Sequence, residues 1–223
     1  MRSRLTFLAL LIVGLAFAGG PDLFSQDQTQ TPTPAKKDIT TLRAHDLHQG
    51  MLVAADPWVK AEEYKARFGK KNPYDAGIIA IDVYFRNDGP LPIHLNLNTI
   101  RLTISMPNET DQELTPMRPE AVAGAVYDTN PRKPGGVGSG LPIPRSGNKS
   151  KQEQELALSL RGVLLSTDLI PPKLVVNGLL YFDLSGHFNY VAFARLYIPD
   201  LAQMGSDKPL LFFDVALGPP QTP

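Results

Sequence analysis

The chain reads Ile78-Ile79-Ala80-Ile81-Asp82-Val83-Tyr84-Phe85 where its strand pattern is clearest. Every second residue from Ile79 to Phe85 is large and apolar, and Asp82 and Tyr84 lie between them. An alternation with a period of two is typical of a β-strand, because successive side chains point to opposite faces. We therefore expect a strand with one buried face and one face in water.

A turn and a second strand follow this segment. Asn87-Asp88-Gly89-Pro90 is rich in turn-forming residues, and the apolar alternation resumes from Ile93 to Leu97, which predicts a hairpin. From Ile100 onward the apolar positions are even-numbered. A strand cannot change its buried face without an extra residue or a break, so we expect a β-bulge or strand switch at Asn98-Thr99.

Three segments carry helix signals. Asp56-Pro57 has the pattern of an N-cap followed by proline, and the helix it begins is expected to end near Gly69. A short helix is expected from Thr115-Pro116 to Tyr127. Ser150-Lys151-Gln152-Glu153 fits a capping box and is expected to begin a third helix.

Three apolar segments in the last third of the chain predict strands at 174–184, 191–198 and 210–217. The loop 185–190 is short, so the first two are expected to form a hairpin. The chain has 21 prolines and 18 glycines, which suits strands and turns better than a helical bundle. These features predict a mainly β fold, an antiparallel sandwich with short helical insertions.

The first residues have the pattern of a secretory signal peptide. Arg2 and Arg4 precede an apolar run over 5–17, and Ala16 and Ala18 are the small residues that signal peptidase recognises. The run is shorter than the roughly 20 residues of a membrane span, so we expect cleavage after Ala18 and no transmembrane span afterwards. The protein is expected to be exported, to the periplasm or outside the cell.

Composition divides the rest of the chain. Residues 19–45 are expected to form a flexible tether. Residues 26–37 have no periodic apolar side chains whose burial would offset the entropy lost on ordering the segment. Residues 46–218 are expected to form a single domain with a Gly/Pro-rich loop at 128–149. Residues 219–223 are expected to be a disordered tail.

Charge and cysteine content exclude several classes of function. The chain has 22 basic and 22 acidic residues, so no net field attracts nucleic acid. It has no cysteine, which excludes disulfides, a cysteine-linked lipid and a thiol nucleophile. Gly136-Val137-Gly138-Ser139-Gly140 fails the spacing of both a nucleophile elbow and a dinucleotide loop. We therefore expect no cofactor and no nucleic-acid partner.

Three segments together point to a family. Phe85-Arg86-Asn87-Asp88-Gly89 ends a strand in an asparagine-containing turn, and Val176-Asn177-Gly178-Leu179-Leu180-Tyr181-Phe182 places glycine before an aromatic strand. Phe68-Gly69-Lys70-Lys71-Asn72-Pro73-Tyr74 leads into the first long strand. In strand order the chain resembles bacterial secreted immunoglobulin-like domains of the telokin-like kind. The resemblance implies an immunoglobulin-like β-sandwich that serves as an exported binding or scaffold module, with no catalytic residues.

The histidines are candidate metal ligands. On a helix, the i, i+3 spacing of His45 and His48 would bring two imidazoles to one side. A third ligand would have to come from His94 or His187, and only if the fold brings one of them close. Otherwise His45 and His48 are solvated residues of a segment before the first strand.

The carboxylates Asp82, Asp183 and Asp214 lie on predicted strands and would be the residues from which a hydrolase assembles a site. A strand face in water carries such residues routinely, so no catalytic residue is assigned.

Aromatic side chains on strand faces are the candidate binding surface. Tyr84 points away from the apolar face of its strand, and Phe193 and Tyr197 share one face of theirs. The partner is expected to be another envelope protein or a glycan. The predicted function is that of an exported non-enzymatic β-sandwich module acting by protein contact in or near the cell envelope. The alternatives are an exported hydrolase with dispersed carboxylates and histidines, or a metal-binding periplasmic protein.

The signal peptide gives the first testable prediction. Export is expected to remove residues 1–18, because the basic, apolar and small-residue regions stand in the order that signal peptidase requires. Intact-mass measurement of the exported protein should give an N-terminus at Gly19. Retention of the full chain in alkali-washed membranes would contradict cleavage.

Overall fold

The structure is a computed structural model that describes residues 38–107, 110–128, 150–205 and 209–219. Within these residues it contains eleven strands in three antiparallel sheets and three short α-helices, which confirms a mainly β fold with helical insertions. The strands are β1 (Ala44–His48), β2 (Met51–Trp58), β3 (Ile78–Asn87), β4 (Ile93–Leu95), β5 (Arg101–Ile104), β6 (Gln112–Leu114), β7 (Leu169–Ile170), β8 (Val175–Asp183), β9 (Ala194–Ile198), β10 (Leu201–Gln203) and β11 (Phe213–Ala216). The helices are α1 (Ala61–Phe68), α2 (Pro119–Tyr127) and α3 (Lys151–Arg161).

The three sheets share one core. Sheet A has the strand order β1-β2-β3-β8, sheet B the order β10-β4-β7, and sheet C the order β11-β9-β5-β6. The main apolar cluster includes Phe85 from sheet A, Ile93 from sheet B and Leu196 from sheet C. We call the face of sheet A that packs into this cluster its inner face. Among the described residues, no helix is both long enough and apolar enough to cross a membrane.

Strand β3 is buried on both faces, so the expected face in water is not found. On the inner face, Ile81 and Val83 lie in the main core. On the outer face, Ala80 packs in a second cluster with side chains from all three helices. Tyr84, on the same outer face, is covered by the segment that precedes β1. Alternation identified the strand but did not reveal that helices cover its second face.

The predicted hairpin after β3 is wrong. Both edges of β3 are occupied, by β2 and by β8, so the chain crosses to sheet B and forms β4 there. Buried Asn87 holds this crossing: its Nδ2 donates to the carbonyls of Leu91 (2.8 Å) and Ile170 (3.2 Å), and its Oδ1 accepts from the Gly89 N–H (2.9 Å). The turn chemistry was correctly recognised, but the turn connects two sheets.

The strand switch near Asn98-Thr99 is confirmed. A 3₁₀ turn, Leu97–Thr99, separates β4 in sheet B from β5 in sheet C. The Asn96 side chain caps the turn by accepting from the Asn98 N–H at 3.2 Å. The change of apolar parity therefore marks the point where the chain leaves one sheet for another.

The second predicted hairpin is also wrong. Strand β8 pairs with β3, whereas β9 pairs with β5 and β11 in another sheet. Residues 188–193, expected to include the start of a strand, form a 3₁₀ helix, and β9 begins at Ala194. Sequence proximity favoured a hairpin, but the long-range pairing with β3 takes its place.

Pro57 lies inside β2 and does not begin a helix. The Asp88 N–H donates to the Gly50 carbonyl at 2.8 Å. In the register of β2 and β3, this bond means that the even-numbered residues of β2 form the hydrogen bonds to β3. Pro57 therefore faces the β1 side, where pairing stops at Ala55. A residue without an N–H is tolerated there because no ladder bond is lost.

The other helix predictions are partly right. Helix α1 begins at Ala61 and ends at Phe68, beside the expected Gly69. Helix α2 ends at Tyr127 as expected but begins at Pro119, later than Thr115. Helix α3 has the predicted cap: the Ser150 hydroxyl accepts from the Glu153 N–H at 3.1 Å.

Residues 38–45, assigned to the tether from sequence, are folded. Asp38 caps a 3₁₀ turn, Ile39–Thr41, and hydrogen bonds from Thr40 hold its pKa below the usual value. Ile39 and Leu42 pack against Tyr84, and β1 begins at Ala44. Apolar residues in this short segment cover part of sheet A. The expected signal peptide, the rest of the expected tether, and residues 129–149 and 220–223 of the expected loop and tail lie outside the described residues.

Two buried tyrosines on the outer side of sheet A differ in hydrogen bonding. The Tyr64 hydroxyl donates to the Trp58 carbonyl (2.8 Å) and accepts from the Ala80 N–H (2.7 Å), which bridges β2 and β3 where β2 ends. Burial raises the pKa of Tyr64 above its usual value. The fully buried Tyr181 hydroxyl has no hydrogen-bond partner among the described residues.

This difference predicts unequal effects of the same substitution at the two tyrosines. Tyr64→Phe leaves a buried N–H and a buried carbonyl unpaired, and should lower the free energy of unfolding by about 1–3 kcal/mol. Tyr181→Phe removes an unpaired hydroxyl and should change it by less than about 0.5 kcal/mol. Urea unfolding at neutral pH measures both. Above a pH of about 10 only the unfolded chain ionises Tyr64, so the wild-type advantage should decline. Equal losses in the two variants would contradict the bridging role.

Candidate binding surface at strands β1, β9 and β11

The two candidate metal ligands of β1 lie on opposite faces of sheet A. His48 pairs with Met51, whose side chain is in the main core, and His45 pairs with Ala54 on the outer face. A spacing of i, i+3 shares a side on a helix but not on a strand. His45 Nδ1 donates to the Leu42 carbonyl at 2.7 Å. The fold therefore separates the two imidazoles.

The other histidines do not join them. His94 is on sheet B, with its Nε2 3.9 Å from Asp168, and His187 stacks on Tyr190 at a centroid distance of 4.9 Å. Within the described ranges, no three histidine or carboxylate side chains are grouped to hold a metal ion.

The three candidate carboxylates are also dispersed. Asp82 is in β3, Asp183 accepts from the Ser185 N–H (2.9 Å) in the turn after β8, and Asp214 is in sheet C. The fold instead pairs Asp82 directly with Asp56 of β2. Sequence reasoning missed this pair because it placed Asp56 at a helix start.

Asp82 is tied to its neighbours on the outer face of sheet A. The Tyr84 hydroxyl donates to Asp82 Oδ2 at 2.5 Å, and Asn177 Nδ2 donates to Oδ1 at 3.3 Å. Burial, together with this bond and the charge of Asp82, raises the pKa of Tyr84. Tyr84 thus points to the predicted face but is buried, so its expected role in an exposed binding surface is wrong.

Phe193 and Tyr197 occupy different environments. Phe193 ends the 3₁₀ helix and packs, half-buried, against the main core. Tyr197 is half-exposed on the solvent side of β9, beside exposed Arg195, while Leu196 between them is buried. Of the three predicted aromatics, Tyr197 is the one on an open strand face.

Side chains from β1 and its turn bond the backbone at the start of β11 and just before it. Asp46 Oδ2 accepts from the Asp214 N–H (3.4 Å), His48 Nε2 donates to the Phe212 carbonyl (3.2 Å), and Gln49 Oε1 accepts from the Leu211 N–H (2.7 Å). The His48 ring also stacks on Phe213, with centroids 3.8 Å apart. The histidine-containing segment thus fixes the backbone of residues 211–214.

This fixed backbone presents two large apolar side chains to solvent. Leu211 is 63% exposed and Phe212 is 52% exposed, and the Phe212 ring lies 5.5 Å from the Tyr197 ring. We call Tyr197, Leu211 and Phe212 the 211–212 patch. Sequence reasoning missed it because Leu210-Leu211-Phe212-Phe213 reads as a core strand, whereas only its first and last residues are buried.

Charged groups border the patch. Arg195 Nε lies 2.9 Å from both carboxylate oxygens of Asp214, and this pairing raises the pKa of Arg195. His48 Nε2 lies 3.6 Å from Asp46 Oδ2. An apolar centre with a polar border is the usual anatomy of a protein-binding surface.

Comparisons with known proteins add no family. No family model and no curated protein matches the chain. A similar solved structure is the crystal structure of a functionally unknown protein from Listeria monocytogenes EGD-e, which is 11% identical with a TM-score of 0.34. The match covers 78% of this chain and 80% of that chain. Neither fold nor function is inferred from it.

The positions of the two β1 histidines predict unequal roles. His48→Ala removes the bond to the Phe212 carbonyl and the ring stack, and should cost about 1–3 kcal/mol of unfolding free energy. It should also speed amide hydrogen exchange at Leu211 and Asp214. His45→Ala is the matched control and should cost less than about 1 kcal/mol, with exchange at these amides unchanged. Micromolar zinc affinity lost in both variants would contradict the separation of the two rings.

Proposed function

We propose that the protein is an exported, non-enzymatic, immunoglobulin-like β-sandwich module that acts by protein contact in or near the cell envelope. The contact surface is the 211–212 patch. The observation that carries the proposal is the pair of adjacent exposed side chains, Leu211 and Phe212, on a backbone fixed by Asp46, His48 and Gln49.

The energetics of this arrangement favour binding. Leaving a leucine or phenylalanine side chain in water forgoes about 1.5–3 kcal/mol that its burial would supply. A partner that covers the patch recovers the part of this energy that corresponds to the exposed area, 63% of Leu211 and 52% of Phe212. Because the backbone is already held, little chain entropy is lost on binding. Aromatic residues surrounded by polar groups are also the usual hot spots of interfaces.

The compartment and the architecture agree with this role. The signal-peptide pattern indicates export, so the partner is another envelope protein, with a glycan as the second possible occupant of the aromatic surface. The packing of sheet A against sheets B and C over one core supports a sandwich. The proposal requires no cofactor and no nucleic acid.

An exported hydrolase is the second candidate, and the pairing of Asp56 with Asp82 favours it. Two neighbouring carboxylates can divide the roles of general acid and general base. Tyr84 and Asn177 both donate to Asp82, which fixes the orientation of this carboxylate. The pair lies on the outer face of sheet A, apart from the 211–212 patch, so the two candidates are separable by substitution.

Site-specific crosslinking tests the protein-contact proposal. A photoreactive p-benzoylphenylalanine replaces Phe212 in cells, and a matched probe replaces Leu158, which is 63% exposed on α3. Irradiation should give one adduct of defined mass from position 212 and none from position 158. Adding Tyr197→Ser should reduce the adduct, because the second aromatic ring of the patch is lost.

A substitution in the carboxylate pair of the hydrolase candidate serves as a control. Asp82→Asn should leave the adduct at position 212 unchanged, since Asp82 is not part of the patch. Equal adducts from positions 212 and 158, or none from either, would contradict the contact surface. Loss of the adduct in the Asp82→Asn variant would direct attention to the outer face of sheet A.

A further inference from the structure

Strand β8 is one of the two edge strands of sheet A, and its odd-numbered residues direct their backbone groups away from β3. The Leu179 N–H donates to the Val163 carbonyl (2.8 Å), and the Leu179 carbonyl accepts from Leu165 (3.0 Å). The Tyr181 carbonyl accepts from the Met117 N–H (2.8 Å). These bonds occupy the edge of β8 at Leu179 and Tyr181.

The same edge is open at the start of the strand. Val175 and Asn177 are odd-numbered, so in a regular antiparallel ladder their N–H and carbonyl groups point to the same side. In the part of the chain that the structure describes, no group bonds to them there. Both residues are exposed, and Leu174 beside them is 56% exposed. The Asn177 side chain donates to Asp82 on the sheet face, which leaves the edge clear.

The open edge contrasts with the edge of β11. There, Asp46 accepts from the outward Asp214 N–H, and His48 and Gln49 bond residues 212 and 211 just before the strand. Covering an edge in this way is one of the means by which proteins prevent strand pairing. Within the described ranges, no proline, charge or side-chain cap plays this part at Val175 and Asn177, and apolar Leu174 and Val175 are exposed to solvent. The described residues therefore cover the start of β11 and leave the start of β8 uncovered.

We propose that the edge of β8 at 175–177 binds a short extended segment of a partner protein by β-strand addition. The backbone groups of Val175 and Asn177 pair with that segment, whose length is limited because Val163 and Leu165 already occupy the edge at Leu179. The partner residue beside half-buried Val176 faces the core side, so the segment carries apolar, β-branched residues at alternating positions.

The length of the edge decides between occupants. A second copy could pair antiparallel about Val176, but a stable dimer buries about 1,200–2,000 Å² in total. The stretch 175–177 alone offers far less than that. A flexible peptide segment needs only the edge itself, so it is the occupant that fits. This contact uses backbone groups on sheet A and does not depend on the 211–212 patch.

A peptide titration tests the proposal. The probe is the acetylated and amidated pentapeptide Val-Thr-Val-Thr-Val, added to the folded protein and followed by amide NMR shifts. We expect saturable shifts centred on Val175 and Asn177. The same peptide N-methylated at alternate residues should bind at least about fivefold more weakly, because each lost hydrogen bond is worth about 1 kcal/mol.

Two variants provide the protein-side control. Val175→Pro removes one outward N–H without touching the β3 ladder, and should weaken peptide binding about fivefold. Val175→Thr keeps the N–H and should bind as the wild type does. If Val175→Pro does not fold, the N-methylated peptide on the wild-type protein still decides.

The opposing outcomes are distinct. Shifts centred on Phe212, equal binding of the N-methylated peptide, or the absence of binding would each overturn strand addition at β8. Concentration-dependent dimerisation that Val175→Pro abolishes would overturn the assignment of the occupant in favour of a second copy. Failure of the crosslinking at Phe212 would leave this edge contact unaffected.

Discussion

Strand β3 is enclosed on both edges and both faces, and most of the fold follows from this constraint. Its edges are taken by β2 and β8, and its outer face requires cover from the helices and from the segment before β1. With no free edge, the strand cannot form a hairpin with the segment that follows it. At the resulting crossing, the buried Asn87 side chain donates hydrogen bonds to two backbone carbonyls, those of Leu91 and Ile170. One buried amide therefore links sheet A to sheet B.

Local features of this fold could be predicted from sequence, but pairing could not. Alternation located β3, the Ser150 cap located α3, and the change of parity located the switch before β5. Each of these signals depends on neighbours in the chain. Both predicted hairpins were wrong because β8 pairs with β3, a strand far away in sequence. Local alternation identifies a strand but does not indicate which strand it pairs with. The helix start predicted at Pro57 was wrong for a similar reason. A proline is tolerated inside β2 because the pairing with β1 has already ended at Ala55.

The candidate site shows how secondary structure changes the meaning of a motif. His45 and His48 would share a side on a helix, whereas in β1 they point to opposite faces. The strand gives Asp46 and His48 a different use, as bonds to the outward backbone of β11. Leu211 and Phe212 escaped notice because an apolar run predicts burial, whereas only Leu210 and Phe213 of this run are buried. Tyr84 was the reverse case, an outward residue that its own chain covers.

The different treatment of the two sheet edges separates two kinds of recognition. At the start of β11 the backbone of residues 211, 212 and 214 is bonded by side chains of β1 and its turn, so a partner that contacts Phe212 does so through side-chain packing, which selects shape and apolarity. At the start of β8 no described residue bonds the outward backbone groups, so the proposed recognition there is by extended conformation, with little demand on side chains beyond alternation. Exposed apolar side chains beside free backbone groups favour strand pairing and aggregation. The bonds from Asp46, His48 and Gln49 occupy the backbone at 214, 212 and 211, so Leu211 and Phe212 are exposed next to backbone groups that already have partners.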